Sequence, residues 1–276
     1  MNIKKILRAV LCFFLVLIFP AQGFAADNYT EYDYVPVLMY HHIVGINVKA
    51  GDGTVISESQ LEEQIKTLLG AGYKFISLYD LYNLKVNRDW NNKKMNNKEK
   101  YVCLTFDDGY ESNYEYLYPL LKKYGIKADV SVITSRCYDS YVPNKGENPK
   151  MDWGTLNEMA QSGLVQVYNH SLDHEKFNVN HGWEFIQKAL KAEDQLNWNL
   201  TVKRKIHVFT YPNGFTTPWM QKQLKKYGFD MQLTTESKVV CGTTPLYGVP
   251  RITVSSGEDG QQLIKEIKKA AARTFN

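Results

Sequence analysis

Two kinds of apolar segment alternate along this chain, and their spacing predicts the elements of its fold. Short runs that are apolar at nearly every position indicate buried strands, whereas longer segments with apolar residues at helical spacing indicate amphipathic helices. The predicted strands cover residues 35–43, 73–77, 101–106, 127–134, 164–168, 206–210, 229–234 and 249–254. The predicted helices cover residues 57–69, 78–84, 114–124, 153–162, 183–200, 218–227 and 259–272.

Alternation of strands and helices is typical of α/β proteins with a mainly parallel sheet, and so many strand–helix units favour closure into a barrel. The polar segments 87–100 and 135–150 are predicted surface loops. Since the pattern shows no internal repeat, we predict a single domain over residues 35–276, preceded by a polar, flexible lead-in at residues 27–34.

The first residues have a different character from the rest of the chain. Three basic residues precede an apolar run at positions 9–19, and small residues up to Ala26 follow it. This layout is typical of a secretory signal peptide over residues 1–26, with cleavage after Ala25 or Ala26. The run is short for a membrane span, and an uncleaved anchor is the alternative. We therefore expect a secreted or cell-surface protein.

Composition and charge exclude some classes of function. The chain has 276 residues, of which 44% are hydrophobic and 22% charged, as in ordinary globular proteins. Its formal net charge of +4 falls to about +1 without the signal segment, so charge gives no indication of nucleic-acid binding. Cys103, Cys137 and Cys241 remain, which permits at most one intrachain disulfide.

Chemically unusual residues follow four of the predicted strands. In a barrel these strand ends gather on one rim, where ligands bind. Two adjacent carboxylates at such an end are costly unless a cation shares them, although an isolated Asp-Asp-Gly is also a common turn. The residues concerned are His41, His42, Asp107, Asp108, His170, His174 and the segment of residues 211–214.

His170 and His174 are four residues apart, so a helical turn would place both imidazoles on one face, where they can bind one cation. Alone, such a pair is more often ordinary surface or core. Together with one Asp, two histidines leave coordination positions open on Zn²⁺, which is typical of a catalytic rather than a structural site.

Three motifs together carry a resemblance to a known family. The TFDDGY, NHSLDH and YPNG segments resemble the motifs of the polysaccharide deacetylases, the NodB-homology enzymes of carbohydrate esterase family 4, and the resemblance extends over residues 35–254. It implies a distorted (β/α) barrel and metal-dependent removal of acetyl groups from sugars. The MYHH segment near the start resembles the branch that acts on poly-N-acetylglucosamine, in which the general-acid histidine comes early in the chain.

Carried over by motif, the resemblance implies a metal site and a general base. Asp107 would be the base, and Asp108, His170 and His174 would bind the metal. The ligand set suits Zn²⁺, and Co²⁺ and Ni²⁺ accept the same ligands. A bound cation lowers the pKa of water towards about 7, so that a carboxylate can activate it.

The resemblance also implies roles around this centre. His41 would protonate the leaving amine; His42 competes for this role, but alternation along a strand turns the two rings to opposite sides. Arg251 would pair with the base, unless it is an ordinary surface arginine. Trp153 would be either a sugar platform or part of the core. In the YPNG segment, the backbone N–H of Asn213 would donate to the oxyanion, and Tyr211 and Pro212 would contribute to the same substrate region.

Two motif positions depart from the family pattern. Asn213 replaces the usual tyrosine, which keeps the backbone donor but loses a phenol that would line the acetyl pocket. The segment Asn169-His170-Ser171 replaces Ser-His-Thr and keeps its metal ligand. The first of these departures puts rate and acyl specificity in question.

The expected partner is an acetylated polysaccharide, and we expect a monomer. Poly-N-acetylglucosamine is the favoured substrate because of the early histidine, followed by peptidoglycan, then chitin oligomers and O-acetyl xylan. Two other classes remain open. One is a carbohydrate-binding protein without activity; the other is a glycosidase using Asp107 and Asp108 as its carboxylate pair, a mechanism that has no use for the two histidines.

Overall fold

The computed structural model describes residues 29–45, 53–87, 93–139, 148–175 and 181–276. The predicted signal segment lies outside these ranges. Within them the strands are β1 (Val37–Tyr40), β2 (Ile43–Val44), β3 (Ile56–Ser57), β4 (Tyr73–Phe75), β5 (Lys100–Phe106), β6 (Ala128–Val132), β7 (Val165–Asn169), β8 (Val208–Thr210), β9 (Met231–Leu233), β10 (Tyr247–Val249) and β11 (Ile252–Thr253). The α-helices are α1 (Glu58–Gly70), α2 (Leu78–Val86), α3 (Tyr118–Tyr124), α4 (Trp153–Gln161), α5 (Gly182–Asn199), α6 (Pro218–Lys226) and α7 (Gly260–Phe275).

The main sheet is parallel and strongly curved. Its strands follow the order β10-β9-β8-β7-β6-β5-β1-β11, and β4 pairs with β5 beside this path. The two edge strands, β10 and β11, are consecutive in the chain, so the sheet curls into a distorted (β/α) barrel. The prediction of a single α/β domain with barrel-like closure is confirmed.

Alternation along the strands decides which side chains reach the centre. In β5, Leu104 packs outward in the largest apolar cluster with the helices, whereas Cys103 packs with the inward-facing residues of neighbouring strands. Because side chains alternate between the faces of a strand, Thr105 and Asp107 also face inward. The same alternation in β7 turns Tyr168 inward and brings His170 to the same side.

Local signals in the sequence determine where the helices begin. The Ser57 hydroxyl accepts a hydrogen bond from the backbone N–H of Gln60 at 3.1 Å and caps α1. Asp259 and Gln262 form a capping box at the start of α7. Such caps satisfy N–H groups that have no partner inside the helix, which is why both helices begin where the sequence predicts.

The described part of the predicted lead-in, residues 29–34, is packed rather than flexible. The ring of Tyr29 stacks on that of Phe275 with centroids 4.5 Å apart, and Tyr34 is 1% exposed in the core. Val35 then pairs with Val240 through backbone hydrogen bonds. The expectation of flexibility is wrong here because two aromatic rings within a polar segment supply enough apolar surface to anchor it.

The helix predicted to start at Tyr114 also differs. It opens with a π-helical turn, Asn113–Leu117, and becomes α-helical only at Tyr118. Such turns are common at functional sites. Here the turn buries Asn113, whose side-chain amide donates to the carbonyl of His41 at 3.0 Å.

The described ranges also show the state of the cysteines and the length and polarity of the helices. Cys103, Cys137 and Cys241 are free thiols, and Cys103 is fully buried, as its place in a strand indicates. Across the described ranges, no helix has the length and apolar character needed to cross a membrane.

Candidate active site

Asp108, His170 and His174 meet at the carboxyl ends of the strands. Asp108 Oδ1 lies 3.3 Å from His170 Nε2 and 3.6 Å from His174 Nε2. One potential ligand atom from each of the three residues lies within 4.8 Å of the others. The expectation that these distant residues form one cluster is confirmed.

The cluster fits a divalent metal ion. Asp108 Oδ1 is buried and has no hydrogen-bond partner in the described part of the chain, although two imidazole nitrogens face it. A buried carboxylate oxygen in this position is destabilising unless a cation occupies the space between the three groups. Two nitrogens and one oxygen are a donor set that suits Zn²⁺, Co²⁺ or Ni²⁺.

The orientation of His170 is determined by its second ring nitrogen. Nδ1 lies 2.9 Å from the carbonyl oxygen of Thr210. A carbonyl only accepts hydrogen bonds, so Nδ1 carries a proton and donates it, which leaves Nε2, on the side of Asp108, as the ring nitrogen that can bind a metal ion. Thr210 is a positioning residue that the sequence pattern does not reveal.

The two histidines approach each other through a tight loop, not through the predicted helical turn. Ser171 and His174 both have left-handed backbone conformations, with φ of 68° and 60°. The Ser171 hydroxyl accepts from the N–H of His174 at 2.9 Å, and the N–H of Ser171 donates to the side chain of Asn169 at 2.8 Å. Asn169 itself donates to the carbonyl of Ala189 in α5 at 2.9 Å, so this departure from the family pattern anchors the loop that carries His170 and His174.

Asp107 forms a buried ion pair with Arg251. Arg251 Nη1 donates to Asp107 Oδ1 at 2.8 Å, and Arg251 Nη2 donates to Oδ2 at 2.7 Å. Asp107 is 2% exposed and Arg251 is 0% exposed. The guanidinium also donates to the carbonyl of Thr234 and the hydroxyl of Thr105. Burial acts to raise the pKa of Asp107, but the positive charge of Arg251 outweighs it and the pKa is lowered. Asp107 is therefore held ionised.

The two adjacent histidines after β1 have different surroundings. Nδ1 of His41 is buried without a hydrogen-bond partner in the described part of the chain. Burial lowers the pKa of His41, against the opposing charges of Asp107 and Asp108. His42 Nδ1 lies 3.0 Å from the hydroxyl of Ser112. His41 is thus close to the carboxylates and His42 belongs to the loop packing, in agreement with the alternation argument.

Comparison with known proteins identifies the family. The sequence profile described as polysaccharide deacetylase matches residues 94–232. The chain belongs to the polysaccharide deacetylase family. It is 30% identical over 210 residues to the poly-beta-1,6-N-acetyl-D-glucosamine N-deacetylase of Staphylococcus aureus (strain MRSA252), a match that covers 72% of this chain and 68% of that protein.

Two solved structures share the fold of this deacetylase. The structure of IcaB from Ammonifex degensii superposes with a TM-score of 0.70 at 25% identity, covering 85% of this chain and 97% of that one. The Streptococcus pyogenes deacetylase PplD in complex with acetate gives a TM-score of 0.70 at 23% identity, covering 85% and 98% of the two chains. The second likeness bears on the fold alone.

The substrate role expected for Trp153 is not compatible with its position in this deacetylase. Trp153 is 7% exposed and packs in the largest apolar cluster at the start of α4, where Asp152 caps the helix. A sugar cannot stack on a ring whose faces are already covered. The expectation of a sugar platform is wrong, and the alternative, a core residue, is correct.

The YPNG segment needs a similar correction. Tyr211 is 0% exposed and donates its hydroxyl proton to Gln232 at 2.6 Å, and Pro212 is also buried. Both side chains are buried within the loop and offer no exposed surface to a substrate. Asn213, in contrast, is exposed with a left-handed φ of 57°, and the next residue, Gly214, has φ of 71°. A Cβ at Gly214 would overlap Thr235, so the turn requires glycine.

Sequence reasoning missed Lys150, which comes from the predicted surface loop. Its Nζ lies 3.8 Å from Asp108 Oδ2 and 3.0 Å from the centroid of the Tyr110 ring. Burial lowers the pKa of Lys150 to about 8. An antiparallel bridge between Tyr110 and Lys150 brings this lysine to the site, and no motif predicts that pairing.

Proposed function

We propose that this polysaccharide deacetylase is a secreted, metal-dependent enzyme that removes N-acetyl groups from the N-acetylglucosamine units of a poly-N-acetylglucosamine-like surface polymer. The single observation that carries the reaction type is the pairing of the Asp108–His170–His174 cluster with the neighbouring ionised base, Asp107. The similarity to the Staphylococcus aureus N-deacetylase favours the polymer.

Asp108, His170 and His174 would hold the divalent ion. Such an ion, when bound, lowers the pKa of water and polarises the acetamide carbonyl. His170 is held for this role by Thr210, and the loop of His174 by Ser171.

Asp107 would act as general base. It accepts a proton from the attacking water while Arg251 keeps the carboxylate ionised and fixed in orientation. Both of its oxygens are engaged by Arg251, so proton transfer uses the remaining lone pairs of the carboxylate. This arrangement also disfavours the glycosidase alternative, because Arg251 holds Asp107 while Asp108 faces two histidines for which a glycosidase has no use.

Two further groups are needed: one to donate a proton to the leaving amine, and one to stabilise the negative charge that develops on the acetyl oxygen. The backbone N–H of Asn213 would donate to the acetyl oxygen as charge builds on it. His41 would protonate the departing amine as the carbon–nitrogen bond breaks. Burial lowers the pKa of His41, which makes its protonated form a stronger acid and reduces the fraction that is protonated at neutral pH.

Measuring two products with and without a chelator tests the proposal. The full chain is incubated with poly-N-acetylglucosamine, peptidoglycan, chitin oligomers and acetylated xylan, and both free acetate and new reducing ends are quantified. We expect acetate without reducing ends, fastest on poly-N-acetylglucosamine, and loss of release after chelation that added Zn²⁺ or Co²⁺ restores. New reducing ends would instead indicate a glycosidase, and polymer binding without either product would indicate a binding protein.

Secretion is tested separately. Expression of the full chain in a Gram-positive host, followed by mass determination of the protein in medium and membrane fractions, should show loss of residues 1–26. Recovery of the intact chain in the membrane fraction would favour a retained anchor instead.

A further inference from the structure

A buried carboxylate in α5, that of Glu193, is connected to the loop that carries His170 and His174. Its Oε2 accepts a hydrogen bond from the side-chain amide of Asn169 at 2.9 Å. Asn169 is the last residue of β7 and directly precedes His170. Glu193 is 9% exposed and Asn169 is 0% exposed, so little water competes for this contact. A residue in α5 thus holds the segment that leads into the candidate metal ligands.

The amide of Asn169 makes hydrogen bonds in two directions. Its nitrogen donates to Glu193 and also to the carbonyl of Ala189 at 2.9 Å. Ala189 and Glu193 are four residues apart, so one face of α5 supplies both acceptors. The amide oxygen accepts from the N–H of Ser171 at 2.8 Å, and the Ser171 hydroxyl accepts from the N–H of His174 at 2.9 Å. A continuous series of hydrogen bonds therefore runs from Glu193 to the backbone of His174.

The loop between the two histidines needs such support because its backbone is strained. Ser171 and His174 are left-handed, a conformation that residues other than glycine rarely adopt. A strained backbone of this kind persists only when surrounding contacts hold it in place. Loss of the contact between Asn169 and α5 should therefore let the loop relax and move the imidazole of His174 away from that of His170.

Glu193 is itself held by two further donors. Its Oε1 lies 2.6 Å from Arg204 Nη2 and 2.6 Å from His207 Nδ1. Burial acts to raise the pKa of Glu193, but the hydrogen bond from His207 and the charge of Arg204 outweigh it, and the pKa is lowered. Glu193 is therefore an ionised acceptor whose two oxygens serve three donors, which only a carboxylate can do at this position.

We propose that Glu193 is a positioning residue for the metal site: through Asn169 it sets the conformation of the loop that carries His174, and thereby the affinity for the metal ion. The alternative is that its ion pair with Arg204 stabilises only the fold. The proposal rests on the metal dependence proposed above. Partners that orient metal ligands contribute about 10–100-fold to metal affinity. Since Glu193 acts through Asn169, we expect an effect at the lower end of this range.

Metal titration of single variants tests this role. Competition with a chelator of known affinity gives the Zn²⁺ dissociation constant, and the absorption spectrum of the Co²⁺ form reports the ligand geometry. Glu193→Gln keeps the shape of the side chain but has one oxygen for three donors, so we expect about tenfold weaker binding and an altered spectrum. As a matched control, Asp194→Asn removes the same charge from the adjacent, exposed position and should leave both quantities unchanged.

The same substitution in a second background tests whether Glu193 acts through Asn169. Asn169→Ser introduces the residue that is usual in the family and removes the amide that Glu193 holds. In this background Glu193→Gln should cause no further loss of metal affinity, because the connection is already broken. Equal losses in both backgrounds would show that Glu193 acts independently of Asn169 and would overturn the proposal.

A double variant separates metal affinity from stability. Glu193→Leu leaves Arg204 unpaired and should lower the melting temperature of the metal-free protein. Adding Arg204→Met creates two apolar side chains in place of the ion pair, a change that is often neutral or stabilising, and should restore much of that loss. Metal affinity should stay about tenfold weaker in the double variant, because Asn169 still lacks its carboxylate acceptor. Recovery of affinity together with melting temperature would mean that the ion pair is only structural. This comparison decides the question if Glu193→Gln does not fold.

Failure of the proposed metal dependence would give a different result. A wild-type chain that binds no Zn²⁺ would refute the metal site itself, and this role with it. Tight binding by the wild-type chain that is unchanged in Glu193→Gln and in the double variant would refute the role of Glu193 alone.

Discussion

Arg251 and Asp107 are 144 positions apart in the sequence, yet both oxygens of the carboxylate accept hydrogen bonds from the guanidinium, at 2.8 and 2.7 Å. Both side chains are almost completely buried. The pair lies directly beside the candidate metal-binding cluster of Asp108, His170 and His174, because Asp108 is the next residue after Asp107. A charge that would be unstable alone in the interior is thereby kept ionised, as the proposed role of Asp107 as a base requires.

Breaking this ion pair from one side should be costly. Arg251→Met leaves an unpaired buried carboxylate, and we expect the free energy of unfolding to fall by about 3–5 kcal/mol. Adding Asp107→Asn removes the charge, so the double variant should be more stable than the sum of the two single effects predicts. Guanidinium chloride denaturation of all four proteins measures this, and simple additivity would show that the two residues are not energetically coupled.

Two substitutions distinguish the proposed base, Asp107, from a proposed metal ligand, His174. Asp107→Asn should retain the metal ion and lower kcat about 10²–10⁴-fold, since the proton acceptor is lost while the ligands remain. His174→Ala should lose metal, because one of three protein ligands is removed. Elemental analysis after dialysis and acetate-release kinetics give both quantities. Near-normal turnover in the first variant, or full metal content in the second, would refute the respective role.

Gly109 and Gly125 form a matched pair for testing the turn after Asp108. Both have left-handed backbone conformations, with φ of 69° and 62°. A Cβ at Gly109 would lie 2.9 Å from Val132 Cγ1, whereas nothing lies within 4 Å of one at Gly125. Both alanine variants should lose about 1–2 kcal/mol from backbone strain, and Gly109→Ala should lose about 1–3 kcal/mol more from overpacking. Thermal denaturation compares them; equal losses would mean that Val132 moves aside freely.

Acid stability should depend on Glu62, which joins α1 to α3. Hydrogen bonds from Lys123 and Tyr124 lower the pKa of Glu62 from 4.5 to about 2. A lowered pKa in the folded state means that the stabilisation is present above pH 4.5 and is lost as the pH falls towards about 2. Glu62→Gln should therefore flatten the fall in melting temperature across this interval. The position is near the surface, so the effect is small, and parallel curves for both proteins would contradict it.

The order of strands and helices followed from local patterning. Apolar runs, the caps at Ser57 and Asp259, and glycines after helices act within a few residues, which is why those elements lie where they were predicted. Patterning gave no warning of the π-helical turn at Asn113–Leu117 or of the aromatic anchor in the lead-in. In both places distant contacts outweigh local preference.

Candidate metal ligands were recognisable in the sequence because Asp108, His170 and His174 each follow a strand. The four-residue spacing of His170 and His174 did not determine how the two imidazoles come together, because a tight loop at Ser171 replaces the expected helical turn. For Trp153 the sequence could not separate a core residue from a sugar-binding one, because an aromatic residue near a motif looks the same in both cases. Its burial favours the core.

By itself the sequence determined the α/β architecture, the motif residues and the type of chemistry, because these depend on periodicity and on the identity of side chains. Only the tertiary structure decided that Arg251 pairs with Asp107 instead of lying on the surface, and that Lys150 approaches Asp108. The physical reason is that these contacts arise where the curved sheet brings remote segments together. Their energies depend on burial and distance, which no local pattern of residues records.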